Sequence, residues 1–421
     1  MFSFRQPRVK RFPNSRIRKL GAEQLESRQL FASDVGGYCL EWAVESARLA
    51  ASETELESSP RSSTKLSSTS AKATKATYGY SLIGNAGDSA SSALGGLAIM
   101  GGGTDVNAAF RWMGQRTQGG DFVILSATST TYGNYINALA PLDSVETLVI
   151  ASRAAADDPF VAQVVRRAEA IFITGGDQAN YVNYWSGTEL ENAIYYAMIN
   201  NNAVLGGTSA GLAIMGEVDF AALGGSISSI EALSNPSDPR ITLDTQFVTM
   251  NDEPKDKLPL TPLKLLNDTL LEPHFQQRDR MGRAMAFTAN MAVGNMLPTV
   301  IKGDAIASPR TIALNEQTAL LVAPDGTSYV VGNPYDRKLP VSSQRRSVFF
   351  VNGKSLNSTD ERLPVGKLNY SANVSRFDWD PGKVNQTTFG INSWTSDLPN
   401  VTYEVLATNG VLSTSAATLY G

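Results

Sequence analysis

Only one histidine, His274, and one cysteine, Cys39, occur among the 421 residues of this chain. A lone cysteine ahead of the folded body excludes a disulfide framework, a thiolate metal cluster and a cysteine nucleophile in the core. One imidazole likewise argues against the usual histidine-rich zinc site, so no metal or other cofactor is expected. No apolar run reaches the roughly 18 residues that a membrane-spanning helix requires, and no span is expected. Cations are scarce beyond the N-terminus. Arg5, Arg8, Lys10, Arg11, Arg16, Arg18 and Lys19 all precede the first acid, Glu23, leaving 29 basic against 40 acidic residues, a net of about −11. A body of that sign is a poor partner for nucleic acid.

What is present begins with a basic segment, 1–37, in which Pro7, Pro13 and the charges interrupt any apolar stretch and argue against a conventional secretory signal. Its portion 20–32, with Leu25-Glu26-Ser27-Arg28-Gln29-Leu30 at its centre, resembles the N-terminal sorting motif, written around Leu-Glu-x-Arg-x-Leu, of many exported planctomycete proteins. The resemblance implies export to the periplasm, cell surface or medium; the bland alternative is a solvated basic tail on a cytoplasmic protein. Residues 38–77 follow, with Leu40, Ala43, Val44 and Ala47 at helical spacing. From Ser52 to Thr77 the composition is Ser, Thr, Ala, Glu and Lys, too polar to bury a core, and reads as a linker.

Residues 78–335 form the expected globular domain. Short apolar runs ending in small residues recur at 97–100, 122–125, 148–150, 171–173 and 203–205, and uniformly apolar strands suit a sheet covered on both faces. Helical patterns alternate with them at 104–118, with Thr104 as a cap, and at 135–139, 158–168 and 188–201. This alternation predicts an α/β fold with a doubly wound, mostly parallel sheet and function at the carboxyl ends of its strands. The Pro-rich stretch 236–262 reads as surface loop near the site, and 279–289 as a helix. Strand patterns then dominate: 311–314, 319–323 and 328–331 around the turn Pro324-Asp325-Gly326, then 347–351 before Asn352-Gly353 and 401–407 before Asn409-Gly410. Residues 336–421 are expected to form a small β-rich appendage. Asp378-Trp379-Asp380-Pro381 within it reads as a turn rather than a cation site.

Gly207-Thr208-Ser209-Ala210-Gly211 follows the apolar run 203–205 and opens the helical run Leu212-Ala213-Ile214-Met215. Flanking glycines let the chain turn sharply from strand to helix, so the serine stands clear of the sheet and the following N–H, from Ala210, faces developing negative charge. A serine nucleophile needs a base, and the sole imidazole, His274, lies 65 residues downstream in polar surroundings. The base needs an orienting acid, for which Glu231, Glu217, Asp219 and Glu272 all qualify by spacing. Thr174-Gly175-Gly176-Asp177-Gln178 forms a second glycine-rich corner. It reads either as an oxyanion donor, Gly176, with Gln178 facing the site, or as a turn with Asp177 as a helix cap.

With these two corners, and with His274-Phe275 followed by Arg278, Arg280 and Arg283, the chain resembles the cyanophycinase family of serine peptidases over about residues 80–335. The resemblance implies a glutamine-amidotransferase-like α/β fold, shared with aspartyl dipeptidase. It implies Ser209 as nucleophile, His274 as base, Glu231 as acid, Gly176 and Ala210 as oxyanion donors, and Gln178, Arg278, Arg280 and Arg283 as substrate-holding residues. Guanidinium forks match the carboxylates of an aspartyl backbone. Departures stand at Glu272-Pro273, where relatives often carry Asp-Gln or Asp-Thr, and at Asn315 before Glu316, where relatives often carry aspartate. The expected activity is exopeptidase cleavage of β-aspartyl or related acidic peptide bonds. Expected partners are a peptide or polyaspartate-like substrate and a second copy in a homodimer. An α/β-hydrolase esterase and a catalytically inactive surface-binding protein on the same fold remain the alternatives.

Overall fold

Five of the apolar runs lie side by side as parallel strands, and the rest of the molecule is built outward from them. The computed structural model describes residues 78–89, 91–244, 265–294, 306, 308–338, 340, 344–354, 366–381, 388–396 and 399–421. The N-terminal segment 1–37, with its sorting motif, and the expected helix and linker of 38–77 lie outside the described residues. The chain runs β1 (Gly79–Gly84), β2 (Leu97–Met100), α1 (Asn107–Arg116), β3 (Asp121–Ser126), α2 (Tyr132–Asn137), β4 (Ser144–Val149), α3 (Arg153–Ala156), α4 (Pro159–Arg166), β5 (Ala170–Ile173), α5 (Gln178–Trp185), α6 (Glu189–Asn200), β6 (Val204–Thr208) and α7 (Ala210–Ala213). It continues through β7 (Asp219–Phe220), α8 (Ser229–Ser234), β8 (Leu243–Asp244), β9 (Thr269–Glu272), α9 (Met281–Ala292), β10 (Arg310–Leu314), β11 (Thr318–Val322), β12 (Thr327–Gly332), β13 (Ser347–Gly353), β14 (Tyr370–Asp378), β15 (Thr388–Gly390), β16 (Val401–Thr408) and β17 (Val411–Thr414).

One sheet has nine strands in the order β1-β4-β3-β5-β6-β2-β11-β12-β15. Its centre, β4-β3-β5-β6-β2, is parallel. The flanking pairs β1–β4, β2–β11, β11–β12 and β12–β15 are antiparallel. A second sheet has six strands, β17-β16-β14-β13-β10-β9, antiparallel except for β9 beside β10. The α/β class therefore holds, but the sheet is not mostly parallel: only the centre is. Helix connections give parallel neighbours, whereas the tight turns after residue 314 can only return the chain antiparallel.

The expected appendage is corrected in the same way. β13 pairs directly with β10 and β15 with β12, so residues 336–421 complete sheets begun by the preceding body. Local strand signals cannot reveal such pairing, because neither partner's run differs from an edge strand's. The expected cap at Thr104 also fails, since α1 starts at Asn107 with Val106 before it and no side-chain cap. The Thr104 carbonyl instead accepts from Asn333 Nδ2 at 3.1 Å. β4 begins four residues before its apolar run, because buried Glu146 is matched by Arg167 (2.7 Å) and Tyr80 (2.6 Å). Asn352-Gly353 is strand rather than turn, held by pairing with β14.

Two apolar cores support this arrangement. One surrounds the nine-stranded sheet, with Ile99, Leu125, Ile173, Leu205 and Trp185 buried. The other gathers Phe220, Phe275, Phe287, Phe349 and Tyr403 around α9, whose twelve residues are all buried. Each fully buried Phe contributes about 1.5–3 kcal/mol relative to exposure.

Candidate active site

Ser209 joins the end of β6 to α7 with φ 53° and ψ −114°, a sparsely populated conformation for a side-chain-bearing residue. Such a residue costs on the order of 1–3 kcal/mol and persists only where its surroundings fix it. Here glycine fixes it. A Cβ at Gly207 would stand 2.5 Å from the Gly211 carbonyl, and one at Gly211 would stand 2.2 Å from that of Ile173. The Ser209 N–H donates to the Met100 carbonyl at 3.2 Å, tying the turn to the neighbouring strand.

His274 arrives from the other sheet. Two residues beyond β9 it adopts φ 49°, and its N–H donates to the Gly101 carbonyl at 2.8 Å. Its Nε2 lies 2.7 Å from Ser209 Oγ and its Nδ1 lies 2.6 Å from Glu316 Oε1. The ring rests on Gly102 (φ +90°), where a Cβ would stand 2.4 Å from Cε1. Glu316 follows β10, which runs parallel to β9 with Ala313 opposite Glu272, so both residues leave the same end of the sheet. Burial pushes the imidazole pKa below its ordinary 6.5; the Glu316 bond opposes that, and the charges of Arg278 and Arg280 reinforce it. Neutral imidazole between an alcohol and a carboxylate can accept the hydroxyl proton while the carboxylate holds Nδ1–H.

Glu231 is not at this site. It caps its own helix, α8, accepting from the Ser228 N–H at 2.9 Å and the Ser228 hydroxyl at 2.7 Å, and it pairs with Arg240 at 2.9 Å. Those bonds, that of the Ser228 N–H foremost, hold its carboxyl down to about 2. The acid beside His274 is Glu316, which corrects the expectation that the acid falls between serine and histidine in the chain. The other candidates lie elsewhere too. Glu217 accepts from the Asp268 N–H. Asp219 is fully buried opposite Asp244 across β7–β8, and burial, then Asp244, raises its pKa well above the carboxylate range.

Glu272 draws in two of the three expected substrate arginines. At 1% exposure it accepts from Arg283 Nη2 (2.6 Å) and Nε (3.1 and 3.2 Å) and from Arg280 Nη1 (2.8 Å). The Arg283 guanidinium also lies over the Phe220 and Phe287 rings. Burial, more than neighbouring charge, lowers the Arg280 pKa to about 10. Arg280 and Arg283 are thus a buried counter-charge to Glu272 rather than open forks, and Arg278 is the exposed member of the set. Gln178 opens α5 and gives its Nε2 to the Phe220 carbonyl at 3.3 Å.

The second glycine corner lies against the serine, since a Cβ on Gly175 would be 3.4 Å from Ser209 Cβ. The Tyr181 hydroxyl holds the corner, standing 2.8 Å from the Thr174 carbonyl and 3.0 Å from that of Gly175. Asp177 caps α5 through the Ala179 N–H at 3.0 Å. Gly176 continues the corner, and Ala210 is the first residue of α7, where helix N–H groups have no partner within the helix.

Sequence reasoning missed Glu316 and a buried support behind the serine. Thr208 Oγ1 donates to Asp105 Oδ1 at 2.6 Å, and Asp105 also accepts from the Tyr132 hydroxyl; burial raises the Asp105 carboxyl, with both hydrogen bonds opposing it. The sequence marks Glu316 only weakly. This residue stands just past an apolar run, where the other site residues stand.

Residues 125–230 match peptidase family S51, a span that holds Gly176, Gln178, Ser209 and Ala210 and stops before His274. A cyanophycinase of Synechococcus elongatus is 26% identical over 188 residues, 45% of this chain and 47% of that protein. A cyanophycinase of Geminocystis herdmanii is 28% identical over 146 residues, 35% and 45% of the two chains. The chain thus aligns with less than half the length of these relatives. A solved peptidase from an acI-B1 actinobacterium is 16% identical with a TM-score of 0.39, covering 66% of this chain and 94% of that one.

Proposed function

We propose that this chain is a serine peptidase of the cyanophycinase type that cleaves β-aspartyl or related acidic peptide bonds through an acyl-enzyme on Ser209. The observation that carries the proposal is the continuous contact from Ser209 Oγ through His274 to Glu316, at 2.7 and 2.6 Å. In the first step Oγ attacks the peptide carbonyl carbon while His274 Nε2 takes its proton, and Glu316 balances the imidazolium through Nδ1–H. The N–H groups of Gly176 and Ala210 receive the carbonyl oxygen as it gains charge. The imidazolium then protonates the departing amine. Water attacks the resulting ester with the imidazole again as base, freeing the acid product and restoring Ser209.

Preference for an acidic substrate rests on Arg278, the exposed cation four residues past His274. The test uses a fluorophosphonate, which reacts with an activated serine whatever the substrate, followed by cyanophycin and a panel of β-aspartyl dipeptides. Labelling is expected in the native protein and lost in Ser209→Ala and His274→Ala. Equal turnover of the peptides by native protein and Ser209→Ala would end the proposal. Export belongs to the proposal as well, resting on segment 20–32, and cell fractionation checks it separately.

A further inference from the structure

We infer that Tyr420, in the last stretch of the C-terminal β region, is a positioning residue for His274, because its phenol joins the turn that carries the imidazole to the second sheet. The inference rests on the reading of Ser209 and His274 as a hydrolytic pair. The Tyr420 hydroxyl donates to Asp279 Oδ1 at 2.8 Å and accepts the Met281 N–H at 3.3 Å. Met281 is the first residue of α9, so this N–H has no acceptor within its helix. The Tyr420 ring meets Phe275, the residue after His274, edge to face at 5.4 Å between centroids.

The first half of the turn is tied by the His274 N–H to the Gly101 carbonyl, the Phe275 N–H to the Leu314 carbonyl (3.0 Å) and the Gln276 N–H to Asn315 Oδ1 (3.0 Å), so the Asp279 end is the part that Tyr420 holds. Within 274–280 two residues other than glycine, His274 (φ 49°) and Asp279 (φ 47°), occupy the left-handed region, and such residues persist where their surroundings over-determine them. Three internal bonds shape the turn: Arg278 N–H to the His274 carbonyl (3.0 Å), Asp279 N–H to that of Gln276 (3.2 Å) and Arg280 N–H to that of Phe275 (2.9 Å). Its attachment outward at Asp279 is made by the Ser229 hydroxyl, donating to the carbonyl, and by Tyr420 at the side chain. Tyr420 is itself held in place. Its carbonyl accepts from Arg376 Nη1 at 2.8 Å, and the Leu419 carbonyl from the Tyr403 hydroxyl at 3.1 Å. Arg376 lies on β14 and Tyr403 on β16, so a chain of contacts leads from these strands of the second sheet to the turn that carries the imidazole.

Because His274 is the only histidine, full-length protein labelled with ¹⁵N-histidine gives one imidazole signal set that reports on this residue whether or not the protein turns over substrate. Native protein would be compared with Tyr420→Phe, which keeps the ring and removes both hydrogen bonds, and with Tyr420→Ala. Tyr370→Phe serves as control, since that hydroxyl is buried in the same sheet with no hydrogen-bond partner among the described residues. In Tyr420→Phe the His274 titration midpoint is expected to move by on the order of half a pH unit, with little change in melting temperature. Ser209 labelling is expected to slow about tenfold or more, the scale on which small misplacements act. Tyr420→Ala should shift both further in the same direction, and Tyr370→Phe should shift neither. An unmoved midpoint in both Tyr420 variants overturns the inference, even if labelling falls in step with melting temperature. A midpoint that moves in a protein whose native form never labels keeps the positioning contact and removes the hydrolytic reading instead.

Discussion

Glu316 and Glu231 are the same side chain in opposite settings, and the difference decides which of them can serve His274. The oxygens of Glu231 are taken up by the cap of α8 and by Arg240 at the exposed surface, while Glu316 holds Nδ1 of a buried imidazole. Glu316→Gln is therefore expected to slow fluorophosphonate labelling by on the order of 10³–10⁴, the loss that follows when the base is left in the wrong tautomer. Glu231→Gln should leave the labelling rate unchanged and lower the melting temperature slightly through the lost cap. The reverse pattern would restore Glu231 as the acid. A pH profile gives a second check. With its pKa pushed below 6.5, His274 stays neutral through pH 7 and protonates only below 6.5, while the unfolded chain takes up its proton near 6.5. Labelling should then persist below pH 6.5 before falling, and this residue's effect on stability should be a loss as pH drops below 6.5. An acid limb centred above 6.5 would contradict the burial argument. Ser209 and His274 were legible in the sequence because one sits between obligatory glycines and the other has no competitor. Glu316 was not, because its place beside His274 depends on β9 lying next to β10, and no local pattern encodes which strands become neighbours.

At the scale of elements, β9 and α9 are joined by the buried cluster of Glu272, Arg280 and Arg283. Read as sequence, three arginines near a histidine looked like open forks for a substrate. Two of them instead balance a carboxylate at 1% exposure, and the sign of that carboxylate was visible all along in Glu272. Removing one partner of a buried pair costs about 3–5 kcal/mol, because the other charge is left uncompensated. Glu272→Ala should therefore lower the denaturant midpoint by an amount of that order, measured by circular dichroism. A change under about 1 kcal/mol, typical of an exposed pair, would show that the arginines are free to turn elsewhere. The helical pattern of 279–289 falls within three residues of the helix at 281–292, but carries no sign of its burial on all sides. An alanine-rich helix carries no strong polar face to betray which side meets solvent.

Across the whole molecule, the parallel centre of the nine-stranded sheet follows from apolar runs alternating with helical patterns, and that part was legible. The second sheet was not, because its pairings span long stretches of chain: β10 with β13, and β14 with β16. Ending the chain at residue 335, which would release a separate appendage harmlessly, instead strips β13, β14, β16 and β17 from the sheet that carries His274. It also uncovers Phe287 and Phe275, which pack in one core with Phe349 and Tyr403. Residues 1–335 alone are expected to aggregate, as size-exclusion chromatography would reveal. A soluble, monomeric fragment with native circular dichroism would argue that the two regions fold independently.

The crossing of sheets at the site also has a meaning in time. Ser209 closes a strand of one sheet, whereas His274 comes 65 residues later, Glu316 another 42 after that, and Tyr420 lies 141 beyond the Asp279 it touches. During synthesis the serine leaves the ribosome long before His274 and Glu316. A growing chain thus carries this hydroxyl past neighbouring polypeptides with no imidazole beside it, and the proposed base and acid join it only when the second sheet closes.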